Sequence, residues 1–422
     1  MTRQISFIIL CVFIHTVCRS QEIEDIVIID KADQYYVSLA NKPDSLEFIT
    51  CSYIQNKLLQ NEAYVDVCQA TISGTQKFAV VIVTKNFKTV ITIPTLDSAV
   101  SKEEKNAVDS RSSLVKKRTS SEKEYYGEFK NFFSYIKSYL KGIKTIYYSS
   151  GGVLNEINIK FFKDEDGSFL FKKYDLIRLH TAVSFIGNRH KLIMPAKMNV
   201  LLVGNVFYDC DNSTNPQKSW NYLPGTKSEV EKIINTIRPK HNYVLLDSCS
   251  STEINFKNTV NKNSFDIIHL ATHGFHFKNS DNVAGISAST HPLMLTGIVL
   301  SGANRLGTSV NAFDESGLYT TFDFKNLKLK NLKMVVLSTC HSGEGFESSA
   351  PIGISLAFLR QGVQAMIVSN RAVPDNESYI FMATFYKNLL KSEDVDKCYL
   401  STIKELVTSF PNTKWDFFDL VH

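Results

Sequence analysis

The chain has 422 residues, 44% hydrophobic and 21% charged, a balance that supplies a sizeable core and excludes a largely disordered chain. Forty-seven Lys and Arg against 42 Asp and Glu leave a net charge of +5, with no dense basic run beyond Lys116, Lys117 and Arg118. Such a diffuse charge lacks the concentrated footprint that nucleic acid demands, so no nucleic-acid partner is expected.

At the amino terminus Arg3 precedes an apolar run from Ile5 to Cys18, and Ser20 stands before the polar Gln21-Glu22-Ile23-Glu24-Asp25. This is the layout of a secretory signal peptide over residues 1–20, and it is too short for a comfortable membrane span. The expected location is therefore secreted or extracytoplasmic, without a stable membrane span. Without Cys11 and Cys18, six of the eight cysteines remain: Cys51, Cys68, Cys210, Cys249, Cys340 and Cys398. No C-x-x-C pair occurs, so neither a zinc site nor a thioredoxin-type site is indicated. Six thiols allow three disulfides, whereas one thiol reserved for chemistry leaves at least one more free.

Phe78–Thr84 and Val90–Ile93 are Val- and Ile-rich runs that predict strands of a small sheet. The polar stretch 101–124 reads as a long mobile loop, with basic cleavage sites between Arg111 and Arg118. From Tyr125 to Leu140 apolar residues recur at three- and four-residue spacing, predicting an amphipathic helix, and Ile143–Tyr148 predicts a strand. Asp164-Glu165-Asp166-Gly167 imitates part of a calcium loop, but Phe162 occupies the first ligand position and a hairpin turn fits better. Residues 21–195 thus form an amino-terminal half.

From 196 to 422 the pattern alternates. Strand-like runs at Val200–Val203, Val244–Leu246, Ile267–Leu270, Val335–Leu337 and Ala365–Val368 are interleaved with helical periodicity at Glu229–Ile237 and Ile352–Leu359. Alternation of this kind predicts an α/β layer fold with a mainly parallel sheet, whose ligands gather at the carboxyl ends of the strands. Gly225-Thr226-Lys227-Ser228 lacks the upstream glycine of a phosphate loop and reads as a helix start with Ser228 near the cap.

Two apolar runs end in reactive side chains, Ile267-Ile268-His269-Leu270-Ala271-Thr272-His273-Gly274 and Val335-Val336-Leu337-Ser338-Thr339-Cys340-His341-Ser342-Gly343. If these strands are neighbours in one parallel sheet, His273 and Cys340 emerge at the same edge. A thiol needs a base or cationic neighbour to become a competent thiolate, and imidazole commonly supplies it. Adjacent glycine lets backbone N–H groups approach an oxyanion. Taken singly, a Cys at a strand end is usually a small core residue. His269, inside its apolar run, reads as structural.

Further residues widen the pattern: Leu223-Pro224-Gly225-Thr226 with Glu229, Leu300-Ser301-Gly302-Ala303, Gly317-Leu318-Tyr319-Thr320, Ile354 to Leu359, Gly362-Val363, and upstream Gly142 to Tyr147 and Leu154 to Asn158. From about Cys51 to the end this combination resembles the CHAT domain, the caspase-like family in the clan of caspases, separases and gingipains. The resemblance implies a caspase-like α/β/α sandwich, a degenerate caspase-like half preceding the catalytic half. It implies a cysteine endopeptidase acting on a protein or peptide substrate, with His273 and Cys340 as catalytic dyad, the backbone N–H groups of Gly274 and Cys340 as oxyanion hole, and no metal or organic cofactor. His276, Asp314, His341 and Glu344 are candidate pocket residues, the two acids favouring a basic substrate side chain. The family commonly has an acidic residue and then Thr-Gly after its Cys, whereas here His341-Ser342-Gly343 follows. Two other readings keep the same fold: a secreted scaffold without turnover, and a thiol-dependent acyltransferase or esterase.

Overall fold

The computed structural model describes residues 27–28, 49–72, 75–94, 132–150, 158–180, 192–210, 220–277, 292–305, 316–339, 354–359, 361–370 and 373–422. The expected signal peptide and the loop at 101–124 lie outside the described residues. The chain divides into two compact units, residues 1–154 with 159–187, and residues 155–158 with 188–422.

In the first unit, α1 (Cys51–Lys57) leads into β1 (Glu62–Ile72), β2 (Thr75–Thr84) and β3 (Lys88–Pro94), an antiparallel meander. Beyond α2 (Phe132–Lys137), β4 (Thr145–Ser150) joins β1 in parallel, and β5 (Asp175–Arg178) joins β4. The amphipathic helix expected from Tyr125 to Leu140 is present as α2 with a 3-10 turn at Ser138–Leu140; residues 125–131 lie outside the described part. Its apolar face buries Phe132, Phe133 and Ile136, and Phe132 meets Phe78 edge to face at 6.4 Å. β1 had no prediction, because Asp66 and Gln69 interrupt its apolar pattern. Asp164 closes the expected turn, where the Gly167 N–H donates to the Asp164 carbonyl and Gly167 has φ +78°. Lys173 and Lys137 bind the Asp164 carboxylate at 2.6 and 2.9 Å and hold its pKa well below the usual carboxylate range. The turn thus spends its acid on lysines.

In the second unit, β6 (Asn199–Val206), α3 (Pro224–Ile237), β7 (Asn242–Ser248), α4 (Glu253–Lys262) and β8 (Ile267–Ala271) alternate as expected. A small antiparallel sheet follows, made of β9 (Gly274–His276), β10 (Thr296–Val299) and β11 (Leu318–Thr320). Then come α5 (Thr321–Lys325), β12 (Met334–Ser338), α6 (Ile354–Leu359), β13 (Ala365–Ser369), α7 (Asp375–Leu389), α8 (Val395–Ser409) and β14 (Phe418–Val421). The main sheet has the order β7-β6-β8-β12-β13-β14, parallel except for β14.

β8, β12 and β13 are buried along their whole length, which is why they read as unbroken apolar runs. On one face, Leu201, Ile268, Leu270, Val335 and Leu337 join a core with Phe256 of α4, Phe324 of α5 and Phe358 of α6. On the other, α3 and α7 lie together over the sheet. Each fully buried Val, Leu or Ile contributes about 1.5–3 kcal/mol. One local expectation is corrected: α3 begins at Pro224, with Leu223 as its uncapped N-cap, so Ser228 lies inside the helix rather than near the cap. Proline at the first turn starts a helix without needing its missing N–H.

Candidate active site at the carboxyl ends of the parallel strands

β8 and β12 are adjacent and parallel, and their last paired residues are Ala271 and Ser338. His273 stands two residues beyond Ala271, and in the sequence Cys340 stands two residues beyond Ser338. The two predicted catalytic residues therefore follow neighbouring strands at the same register. Cys340, His341, Asp314 and Glu344 lie outside the described residues, as does the side chain of His276, whose backbone is on β9.

The ground beneath His273 is a chain of hydrogen bonds. The Thr272 hydroxyl donates to the Val299 carbonyl at 2.6 Å, so at 2.9 Å the Tyr208 hydroxyl must be the donor to Thr272 Oγ1. Burial pushes the Tyr208 pKa up to about 12, keeping it a phenol. The half-buried imidazole sits against two rings, Tyr208 at 5.3 Å and Trp220 at 5.4 Å.

Its Nε2 lies 2.8 Å from the Asn221 carbonyl oxygen. A carbonyl only accepts, so Nε2 carries the proton, and in the neutral ring Nδ1 holds the lone pair. Burial pulls the His273 pKa below its ordinary value, opposed by the Asn221 hydrogen bond and by the negative charge of Asp375. A ring kept neutral near pH 7 with one nitrogen fixed as donor is prepared to accept a proton on the other.

Gly274 begins β9. Hydrogen bonds to β10 and its flank are made at His273, whose carbonyl accepts from Val299, and at Phe277, whose N–H donates to Leu295. Alternation along a strand turns the Gly274 N–H away from β10. On the other strand end, the Thr339 carbonyl accepts from the Ser369 hydroxyl. Ser378 Oγ donates to Glu229 Oε2 at 3.0 Å, so Ser338 donates to Ser378 at 2.7 Å. Both residues ahead of Cys340 are thus anchored, one to β13 and one to α7.

His269 is structural, as expected. It is wholly buried, with Nε2 2.8 Å from Glu229 Oε1 and Nδ1 3.3 Å from the Tyr386 hydroxyl. Tyr208, Trp220 and Asn221 were missed as site residues. Aromatic residues flanking a polar loop are a weak signal, and a backbone carbonyl has no side-chain signature at all.

A disulfide joins Cys210, four residues past β6, to Cys249, directly after β7, with a Cα–Cα distance of 5.5 Å. Cys398 is a buried free thiol, which rules out the three-disulfide arrangement. Burial raises the Cys398 pKa to about 11, so it is no rival nucleophile. The bridge closes a loop spanning 39 residues in sequence, within which lie α3 and the Trp220–Asn221 segment. Cys210→Ser with Cys249→Ser is expected to cost about 3–4 kcal/mol through unfolded-chain entropy. Urea denaturation of the oxidised parent and the double variant measures it; equal midpoints would show that the bridge contributes nothing.

A cleft of about 460 Å³ opens at the opposite, amino-terminal edge of the main sheet, lined by Asn199, Asp266 and Lys333 among others. There Lys333 is already bound to Asp266 at 2.6 Å, and the cleft is remote from His273 in the topology. Among the described residues, no group of three or more His, Cys, Asp or Glu side chains is arranged to hold a metal ion. No described helix is long and apolar enough to cross a membrane.

The family model of the CHAT domain matches residues 130–405, well over half of the chain. No curated protein matches by sequence. Among solved structures, the Arg-specific cysteine proteinase gingipain R is 11% identical, with 70% of this chain and 66% of that one covered and a TM-score of 0.43. The complex of Porphyromonas gingivalis RgpB pro- and mature domains is 9% identical, with 70% and 68% covered and a TM-score of 0.41. The Saccharomyces cerevisiae separase–securin complex is 10% identical, with 87% of this chain and 32% of that one covered and a TM-score of 0.49. The chain thus spans just under two thirds of gingipain R and about a third of the separase chain. Identities this low transfer no residue role.

Proposed function

This chain belongs to the CHAT domain family, and from that premise we propose that it is a cysteine endopeptidase in which His273 serves Cys340 as base. The observation that carries the reading is the shared register of the two strand ends, together with an imidazole whose Nε2–H is committed to the Asn221 carbonyl.

In the proposed reaction, His273 Nδ1 takes the Cys340 thiol proton as Sγ attacks the scissile carbonyl carbon. The electron pair of the C=O bond moves onto oxygen, and the backbone N–H groups of Gly274 and Cys340 stabilise that oxyanion. Collapse expels the amine, which takes its proton from His273 and leaves a thioester on Cys340. Water then adds to the thioester, giving its proton to His273, and the acid product departs as the thiolate regains a proton. His276, Asp314, His341 and Glu344 are proposed to line the pocket, with the two acids favouring a basic residue before the cut.

We further propose that the protein works outside the cytoplasm. The apolar leader after Arg3 supports this, as does the Cys210–Cys249 bridge, since disulfides persist in oxidising compartments. The test of the activity is a peptide library incubated with the parent and with Cys340→Ala, read by mass spectrometry. Cuts that require Cys340 support the peptidase; ester turnover that requires Cys340, with no peptide cut at any pH, would replace it with a thiol esterase.

A further inference from the structure

Asn304, in the helical turn Ala303–Arg305 after β10, is 2% exposed, and four hydrogen bonds tie it to two segments of chain among the described residues. Its Oδ1 accepts from the Trp220 N–H at 2.9 Å, while its Nδ2 donates to the Trp220 carbonyl at 2.9 Å. The same Nδ2 donates to Asp209 Oδ1 at 2.9 Å, and the Asn304 backbone N–H donates to the Tyr208 carbonyl at 3.1 Å. The amide therefore grips the backbone of Trp220 on both sides, as a neighbouring strand would. Its orientation is forced: a flipped amide would aim Oδ1 at a carboxylate and a carbonyl, both acceptors.

The residue after Trp220 is Asn221, whose carbonyl accepts from His273 Nε2. The residue after Tyr208 is Asp209, and the Tyr208 ring packs against the imidazole at 5.3 Å. Among the described residues, no hydrogen bond joins Asn304 to the imidazole itself. Asn304 nevertheless fixes both pieces of backbone whose groups contact the imidazole.

We propose that Asn304, with Asp209, is a positioning residue that sets the Asn221 carbonyl and thereby locks His273 as the Nε2–H tautomer, leaving the lone pair on Nδ1. This rests on His273 being the base of the proposed peptidase. Only an amide supplies a donor and an acceptor at the required places. An Asp at 304 has the same shape but presents a second acceptor to the Asp209 carboxylate and the Trp220 carbonyl. A buried polar group left so mismatched costs its desolvation penalty, and the Trp220–Asn221 backbone is released.

The test uses full-length protein carrying Cys340→Ala and ring-15N histidine, with His273 assigned through its loss in His273→Gln. The parent is expected to show one tautomer, protonated on Nε2. Asn304→Asp and the milder Asn304→Ser are expected to show exchange between both tautomers, with circular dichroism confirming the fold. With Cys340 restored, both variants are expected to lose about 10²-fold in kcat with KM changed less than threefold, the scale of a displaced catalytic group. A parent ring protonated on Nδ1 overturns the proposal even if neither variant folds. Unchanged Nε2–H tautomer in a folded variant overturns it as well. If the variants lose the single tautomer while the parent cuts no peptide, the positioning role stands and the peptidase reading alone falls.

Discussion

Cys340→Ala is expected to lower kcat/KM on the best library peptide by about 10⁴–10⁶-fold, and His273→Gln by a comparable factor. In the proposed mechanism the two effects are not additive, because the residues would act as one unit: without the base the thiol would be mostly protonated near neutral pH, and without the thiol the base would have nothing to activate. The Cys340→Ala/His273→Gln double variant should therefore be hardly slower than either single one. A product of two independent factors in the double variant would show that the residues do not work together. The pH profile provides the companion measurement. Because burial pulls the His273 pKa down, proton acceptance by this ring persists below the ordinary imidazole range as pH falls. The acid limb of kcat/KM should accordingly lie below about 6.5, as a property of the coupled dyad. An acid limb above that range would contradict the imidazole environment described here.

Glu229→Ala is expected to destabilise the second unit by about 2–6 kcal/mol, because two buried donors lose their acceptor at about 1–3 kcal/mol each. Glu229, on α3, is 2% exposed, and His269, on β8, is fully buried. With His269 donating from Nε2 to Glu229 and accepting at Nδ1 from the Tyr386 hydroxyl, every polar atom of the ring has a partner. Burial and the charge of Glu229 raise the Tyr386 pKa far above the ordinary phenol range, so the phenol remains a donor. Ser378 fills the second oxygen of Glu229 and hands the network on to Ser338 at the end of β12. Removal of the carboxylate orphans His269 Nε2 and Ser378 in a dry interior. Chemical denaturation followed by tryptophan fluorescence and far-UV circular dichroism measures the loss. A change under 1 kcal/mol would mean that water enters and replaces the carboxylate. Glu229→Gln, which retains shape and one acceptor, should cost less than Glu229→Ala.

His269 illustrates how a residue's surroundings can be read correctly while its partner is not. Its place in an unbroken apolar run announced burial, but Glu229 is 40 residues away and belongs to a helix whose own pattern identifies only an apolar face. The cysteines show the same limit. Their irregular spacing left the pairing open, and only the parallel neighbourhood of β6 and β7 brings Cys210 within 5.5 Å of Cys249, measured between Cα atoms. Ser228 was misjudged because a local polar cluster looked like a cap, while Pro224 had already started the helix. The long β1 went unpredicted because its polar residues interrupt the run, although pairing with β2 and β4 satisfies its backbone on both sides.

By itself the sequence determined the alternation of strands and helices and the placing of His273 and Cys340 at corresponding distances past two apolar runs, because buried parallel strands must be apolar throughout and chemistry collects where they end. Only the tertiary structure decided which nitrogen of His273 carries the proton. That choice depends on a carbonyl 52 residues away, held by an amide 84 residues from Trp220. Periodicity records the face a residue turns to the core, whereas such contacts exist only once the chain has closed those loops.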